Sequence, residues 1–86
     1  MNIPQRLKIV RECCGMEQKE LASAMECDVS FISLMERGRR SISVESIQSL
    51  CNAVGFEIRY FFDTDSGFAD ACGELILKRM RIIDKE

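Results

Sequence analysis

The chain has 86 residues, 47% of them hydrophobic and 30% charged, with a formal net charge of −2. That is room for one small domain and one extra element; the apolar content is too high for a disordered chain, and no apolar run approaches the roughly 18–20 residues of a membrane span. Histidine is absent, which excludes Ser-His-Asp and Cys-His catalysis, and with no phosphate-cradling glycine loop an enzyme is not expected.

The first helix is expected to open near Pro4, which fits a first turn because it lacks the N–H that would go unpaired there. Leu7, Val10 and Cys14 recur at three and four as one apolar stripe, and Gly15 ends the helix. Glu17 and Gln18 open a second helix that runs to about Met25. It turns Leu21, Ala22 and Met25 inward, with Ala22 small where two helices approach. Glu26, Cys27 and Asp28 form the turn, and the Asp28 side chain is placed to cap a third helix. That helix covers about Val29 to Arg37 and directs Ile32 and Met35 to the core.

Gly38 to Ile42 is a loop. Ser43 caps a fourth helix, and Glu45 in its first turn suits the helix dipole. Ile47, Leu50, Cys51 and Val54 line its inner face, and Gly55 stops it. Phe56 to Phe62 forms a short fifth helix or turn whose aromatic side chains close the core; a strand there would have no partner. Residues 63–67 are a polar break. A last helix over about residues 67–84 carries Phe68, Cys72, Leu75, Ile76, Met80 and Ile83 on one stripe, with Leu77 and Ile82 beside it. This is more apolar surface than one contact face uses. A second copy of the chain is the simplest cover, so these six are expected to form a dimer interface.

The second and third helices lie back to back across three residues, and the third ends in Gly38 followed at once by Arg39 and Arg40. That is the outline of a helix-turn-helix. Residues 1–40 hold seven Lys/Arg against six Asp/Glu, and residues 41–86 hold five against eight, so any basic footprint must be local.

Residues 6–62 resemble the five-helix DNA-binding domain of phage repressors and of Xre/Cro-type bacterial regulators. The resemblance rests on Arg6-Leu7-x-x-Val10-Arg11, Gly15-Met16-x-Gln18-x-x-Leu21-Ala22, Val29-Ser30-x-Ile32-Ser33-x-Met35-Glu36-x-Gly38, and Ser43-Val44-x-x-Ile47-x-x-Leu50-x-x-Ala53-Val54-Gly55. The tail of about 20 residues is similar to the smallest such regulators: controller proteins of restriction–modification systems, short phage regulators and some antitoxins.

The resemblance implies an all-α fold, with a lambda-repressor-like five-helix domain over residues 1–62 and a C-terminal helical tail for dimerisation over 63–86. It implies a homodimeric transcriptional regulator that binds a pseudo-palindromic DNA operator with half-sites roughly 34 Å apart; with neither a membrane-span run nor a signal-peptide core in the sequence, the protein is expected in the cytoplasm. Gln18 would bond a phosphate where the helix start also points donors outward; the alternative is a solvated helix start. Arg11 and Glu36 would form a partly buried structural salt bridge. Val29, Ser30, Ser33 and Leu34 would face base edges, with Arg37 nearer the backbone and Arg39 and Arg40 along the phosphates. Otherwise Val29 and Leu34 face a protein and the two arginines belong to a solvated loop. Phe31 packs against the second helix or lies near a sugar.

Two apolar residues and two serines touch thymine methyls and exchange single hydrogen bonds, but carry little direct base information. Either specificity falls to arginines and DNA shape, or the contact helix is weakly specific. One departure concerns Glu26, where the family commonly has glycine: a non-glycine residue at positive φ costs on the order of 1 kcal/mol. A second functional class is a protein-interaction module or antitoxin whose apolar tail binds a partner such as a toxin.

Five cysteines, two of them adjacent and none in a C-x-x-C pair, make neither a disulfide framework nor a zinc site. They read as reduced thiols packed as small apolar groups, or as a redox switch at Cys13 or Cys14. No cofactor or metal is expected. Asp63, Asp65 and Glu74 share spacing with an EF-hand loop, but its required glycine is Phe68. Lys78, Arg79 and Arg81 sit near a helix C-terminus, where the dipole favours them; a second DNA contact is the other reading. Residues 1–6 lack the apolar core of a signal peptide.

Overall fold

A computed structural model describes the backbone of residues 1–84 and the side chains of residues 1–81. It holds, among the described residues, six helices and no strand: α1 (Ile3–Cys13), α2 (Gln18–Ala24), α3 (Val29–Glu36), α4 (Val44–Val54), α5 (Ile58–Phe61) and α6 (Asp65–Asp84). The expected all-α domain with an added C-terminal helix is what the chain forms.

Helix starts follow side-chain chemistry. α1 opens one residue before the expected Pro4, because Asn2 and Gln5 build a reciprocal cap: Asn2 Oδ1 accepts the Gln5 N–H and Gln5 Oε1 accepts the Asn2 N–H, both at 2.9 Å. Ser43 caps α4, its Oγ accepting the Ser46 N–H at 3.1 Å. Asp28 occupies the cap position of α3 with extended backbone, yet its side chain makes no capping bond. The polar stretch read as a break is partly helix. Thr64 Oγ1 accepts the Gly67 N–H at 3.2 Å, so α6 begins at Asp65, two residues earlier than expected.

Four helix ends share one closure, in which the residue after a left-handed position reaches back to a carbonyl near the end of the helix. Met16 N–H bonds Arg11 O (3.2 Å), Cys27 bonds Ala22 (2.9 Å), Arg39 bonds Leu34 (2.9 Å) and Phe56 bonds Cys51 (2.9 Å). Glycine fills the left-handed position in three; in the fourth it is Glu26, at φ 56°. The departure noted in the sequence therefore keeps the glycine-type conformation instead of reshaping the turn.

The core gathers one face from each helix: Leu7 and Val10, Leu21 and Ala22, Ile32 and Met35, Ile47, Leu50, Cys51 and Val54, then Phe56 and Phe61. The first half of α6 belongs to it as well. Phe68 is fully buried, meeting Phe56 edge-on at 5.9 Å and Phe61 at 6.1 Å between ring centroids. Cys72 and Leu75 follow on the same stripe and are buried too. Phe68, Cys72 and Leu75 are therefore committed to the protomer's own core, not to a surface that a second copy would meet. One helical stripe serves two neighbours, and periodicity alone does not divide it. Ile76 and Met80 remain exposed; the Ile83 side chain lies outside the described residues.

Arg6 anchors this arrangement. It is buried on the apolar side of α1, its Nη1 donating to Phe61 O at 2.7 Å and its Nη2 to Asp65 Oδ1 at 2.9 Å. The guanidinium also lies over the Phe68 ring at 4.6 Å. The N-terminal ammonium reaches Asp65 as well, at 3.1 Å.

Candidate nucleic-acid interface

α2 and α3 pack closely across the Glu26 turn, with Leu21, Ala22, Ile32 and Met35 buried between them and the core. A polar network fixes their relative position. Arg11 grips Glu36 with both arms of its guanidinium, Nε to Oε2 at 2.7 Å and Nη2 to Oε1 at 3.0 Å. Its remaining Nη1 donates to Met16 O at 2.8 Å. The Glu36 side chain is almost wholly removed from solvent, where an unpaired charge would cost several kcal/mol, of order 3–5. The hydrogen bonds that Arg11 donates to Glu36 raise its pKa further, against the opposing effect of burial. The salt bridge expected between the first and third helices is present.

Gln18 adds the third member. Its Nε2 donates to Glu36 Oε1 at 3.1 Å, which ties the first residue of α2 to the last residue of α3. The family resemblance points Gln18 at a phosphate, and the sequence gives no sign of this bond, since spacing does not reveal which residues meet across a turn.

The outward side of α3 is where the expected reading residues lie. Val29 is 44% exposed and Ser30 is exposed, whereas Ser33 and Leu34 are half-buried. Arg37, Arg39 and Arg40 follow in sequence, all exposed. Arg37 folds back on its own helix, Nε to Ser33 O at 3.4 Å. The Arg40 guanidinium rests over the Phe31 ring at 4.5 Å. Phe31 is thus packed on the core from one side and covered by an arginine from the other.

A helix-turn-helix domain family matches residues 5–58 of this chain, more than half its length and nearly all of α1–α4. The chain belongs to the helix-turn-helix domain family. The helix-turn-helix resemblance drawn from the sequence is thereby borne out. A relative, the HTH-type transcriptional regulator DdrOP3 of Deinococcus deserti, is 34% identical over 58 residues, which cover 67% of this chain and 45% of that protein. The chain thus spans less than half the length of that regulator. No solved structure matches.

Two kinds of group are exposed around the motif: Val29 and Ser30 at the start of α3, and Arg37, Arg39 and Arg40 beyond its end. Arginine forks suit phosphate oxygens, and short side chains let a helix lie close to base edges. Among the described residues no set of three or more metal-ligating side chains converges, and no helix is long and apolar enough to cross a membrane.

Proposed function

We propose that the protein is a sequence-specific DNA-binding transcriptional regulator. It acts as a homodimer on a pseudo-palindromic operator, in the manner of a restriction–modification controller or a phage-type repressor. Residues 1–62 carry the DNA-facing unit and residues 63–86 the dimerisation segment, whose first half is rooted in the core. The single observation that carries the reading is the Arg11–Glu36–Gln18 network. It holds α3 rigidly against α1 and α2 while leaving Val29, Ser30, Arg39 and Arg40 on the surface. A domain that immobilises a helix yet leaves its outer side unpartnered is suited to presenting it to a groove.

In this reading Gln18 contacts a phosphate with the second N–H of its amide, the first being held by Glu36. Val29, Ser30, Ser33 and Leu34 face base edges, Arg37 lies near the backbone, and Arg39 and Arg40 follow the phosphates. The weakly informative reading face shifts specificity towards DNA shape.

Titration against random and candidate operator duplexes at two salt concentrations tests this. Affinity should fall as salt rises, with Arg39→Ala plus Arg40→Ala lowering the slope by about two, one for each phosphate no longer neutralised. A slope near zero, or affinity unchanged in the double variant, rejects it.

A second reading is a protein-interaction module of the antitoxin kind. It is favoured by the exposed apolar patch of α6 and by the acidic net charge. In that case a partner such as a toxin covers the tail and DNA contact is secondary, which the same titration separates.

A further inference from the structure

The outward face of α6 contains a residue that the protomer does not explain. Gly73 lies in the interior of a 20-residue helix, where glycine is less favourable than any residue except proline. A Cβ at Gly73 would meet nothing within 4 Å, so no contact inside the chain requires its absence. Along the same face Ala69, Gly73, Ile76 and Met80 succeed one another at intervals of four, three and four residues, the spacing of a helix–helix seam. The face is small at its start and large at its end. Ile76, Leu77 and Met80 are 40%, 44% and 52% exposed, an apolar patch with no cover. Ala69, Gly73, Ile76 and Leu77 also line one wall of a shallow groove of about 990 Å³ whose other wall includes Phe56 and Tyr60.

Charge is graded along the helix in the same way. Asp65, Asp70 and Glu74 occupy its first half, and Lys78, Arg79 and Arg81, followed by Asp84 at the very end, its second. Asp70, Glu74, Lys78 and Arg81 are exposed.

We propose that α6 pairs antiparallel with α6 of a second copy, Ala69 and Gly73 of each forming the hollow that receives Met80 and Ile76 of the other. This rests on the homodimer reading above and supplies its geometry. Antiparallel pairing sets the small half of one helix against the large half of its partner, so both hollows fill at once and each contact occurs twice by symmetry. The missing side chain at Gly73 lets the axes approach towards the close end of the usual 8–10 Å range. The same register brings Asp70 within two residues, about 3 Å of helix rise, of the level of Arg81 on the partner helix, and the acidic half of each helix to the mainly basic half of the other. A parallel pair would instead set small against small, large against large, and like charge against like.

The test is sedimentation equilibrium of the whole chain and of four variants, with circular dichroism to confirm folding. Asp70→Arg and Arg81→Asp should each weaken self-association about tenfold or more, as two symmetric ion pairs turn repulsive. The double variant carrying both changes should return to within about threefold of the original. Gly73→Leu should weaken it by roughly a hundredfold while the protomer stays folded, because the hollow is closed but the chain's own core is not touched. A wild-type chain that remains monomeric at high concentration overturns the homodimer reading itself. A wild-type dimer whose charge reversals do not restore one another, or that tolerates Gly73→Leu, overturns the antiparallel register alone.

Discussion

Gln18 donates its Nε2 to Oε1 of Glu36 at 3.1 Å, the same oxygen that accepts Arg11 Nη2 at 3.0 Å. One carboxylate therefore organises the helix that scaffolds the domain, the helix that begins the motif and the helix that would read DNA. Its hydrogen-bonding capacity is divided so that neither donor must be released for the other.

Breaking this arrangement from one side leaves a buried charge. Arg11→Ala is expected to destabilise the domain by about 3–5 kcal/mol, and Glu36→Ala by a similar amount. Replacing both residues with methionine should be far less damaging than the sum of the single changes, because no charge is stranded. Urea unfolding of the three variants reads this directly.

Gln18→Ala removes a neutral donor and leaves the ion pair in place. Stability should change by about 1 kcal/mol or less. DNA affinity should drop by a similar factor on every sequence, with the salt slope nearly unchanged, since the count of cations is the same. A loss confined to one sequence would place Gln18 on a base instead of the backbone.

The left-handed conformation of Glu26 at φ 56° is a local strain that glycine relieves. Glu26→Gly should raise stability by up to about 1 kcal/mol, offset in part by the added freedom of the unfolded chain. A thermal melt that shows loss instead would mean that the Glu26 side chain contributes more than its backbone costs.

Asp65 accepts hydrogen bonds from Arg6 and from the N-terminal ammonium, which hold its carboxyl below the ordinary 3.8. A carboxylate lowered on folding binds fewer protons in the native state, so its contribution is complete above about 3.8 and vanishes as pH falls through the lowered value. Asp65→Asn should therefore cost stability at pH 6, and the gap from wild type should close towards pH 2–3. Equilibrium unfolding across this range, with a gap that stays constant, would remove Asp65 from the acid response.

The thiols divide by burial. Cys51 is pushed up to about 11 and Cys72 to about 12, in both cases chiefly by burial, so at pH 8 neither offers appreciable thiolate. Iodoacetamide should leave both unmodified in the native protein and label both in denaturant, as mass spectrometry of digests would report.

The helix-turn-helix is legible because its signals are local. Gly15, Gly38 and Gly55 mark helix ends, Ser43 marks a start, and the inward sets Leu21/Ala22, Ile32/Met35 and Ile47/Leu50/Cys51/Val54 are all buried as spacing predicts. Three features are not. Arg6 stands four residues before Val10, on the apolar stripe, but a charged residue there reads as surface until a carbonyl and a carboxylate are found to meet it. Thr64 as the start of α6 is hidden by glycine and aspartate neighbours that read as a loop. The α6 stripe is recognisably apolar, but the choice between its own core and a second copy depends on how α5 folds back, which is a long-range matter. Within the interface, the identities of the outward residues on α3 are readable from the helical pitch, whereas the links from Gln18 to Glu36 and from Arg40 to Phe31 depend on side chains meeting in space.

Two arginines on α1 hold two different helices, Arg6 bracing α6 through Asp65 and Arg11 bracing α3 through Glu36. They lie little more than one turn apart on the same rod. α1 thus acts as a strut that ties α3 and α6 to one rod. In the proposed dimer the separation of the two reading heads becomes a dimension machined into the protein, like the jaw width of a fixed spanner. Spacer length in a bound site would then be chosen by the protein, and a site one base pair too long or too short would have to be strained to fit.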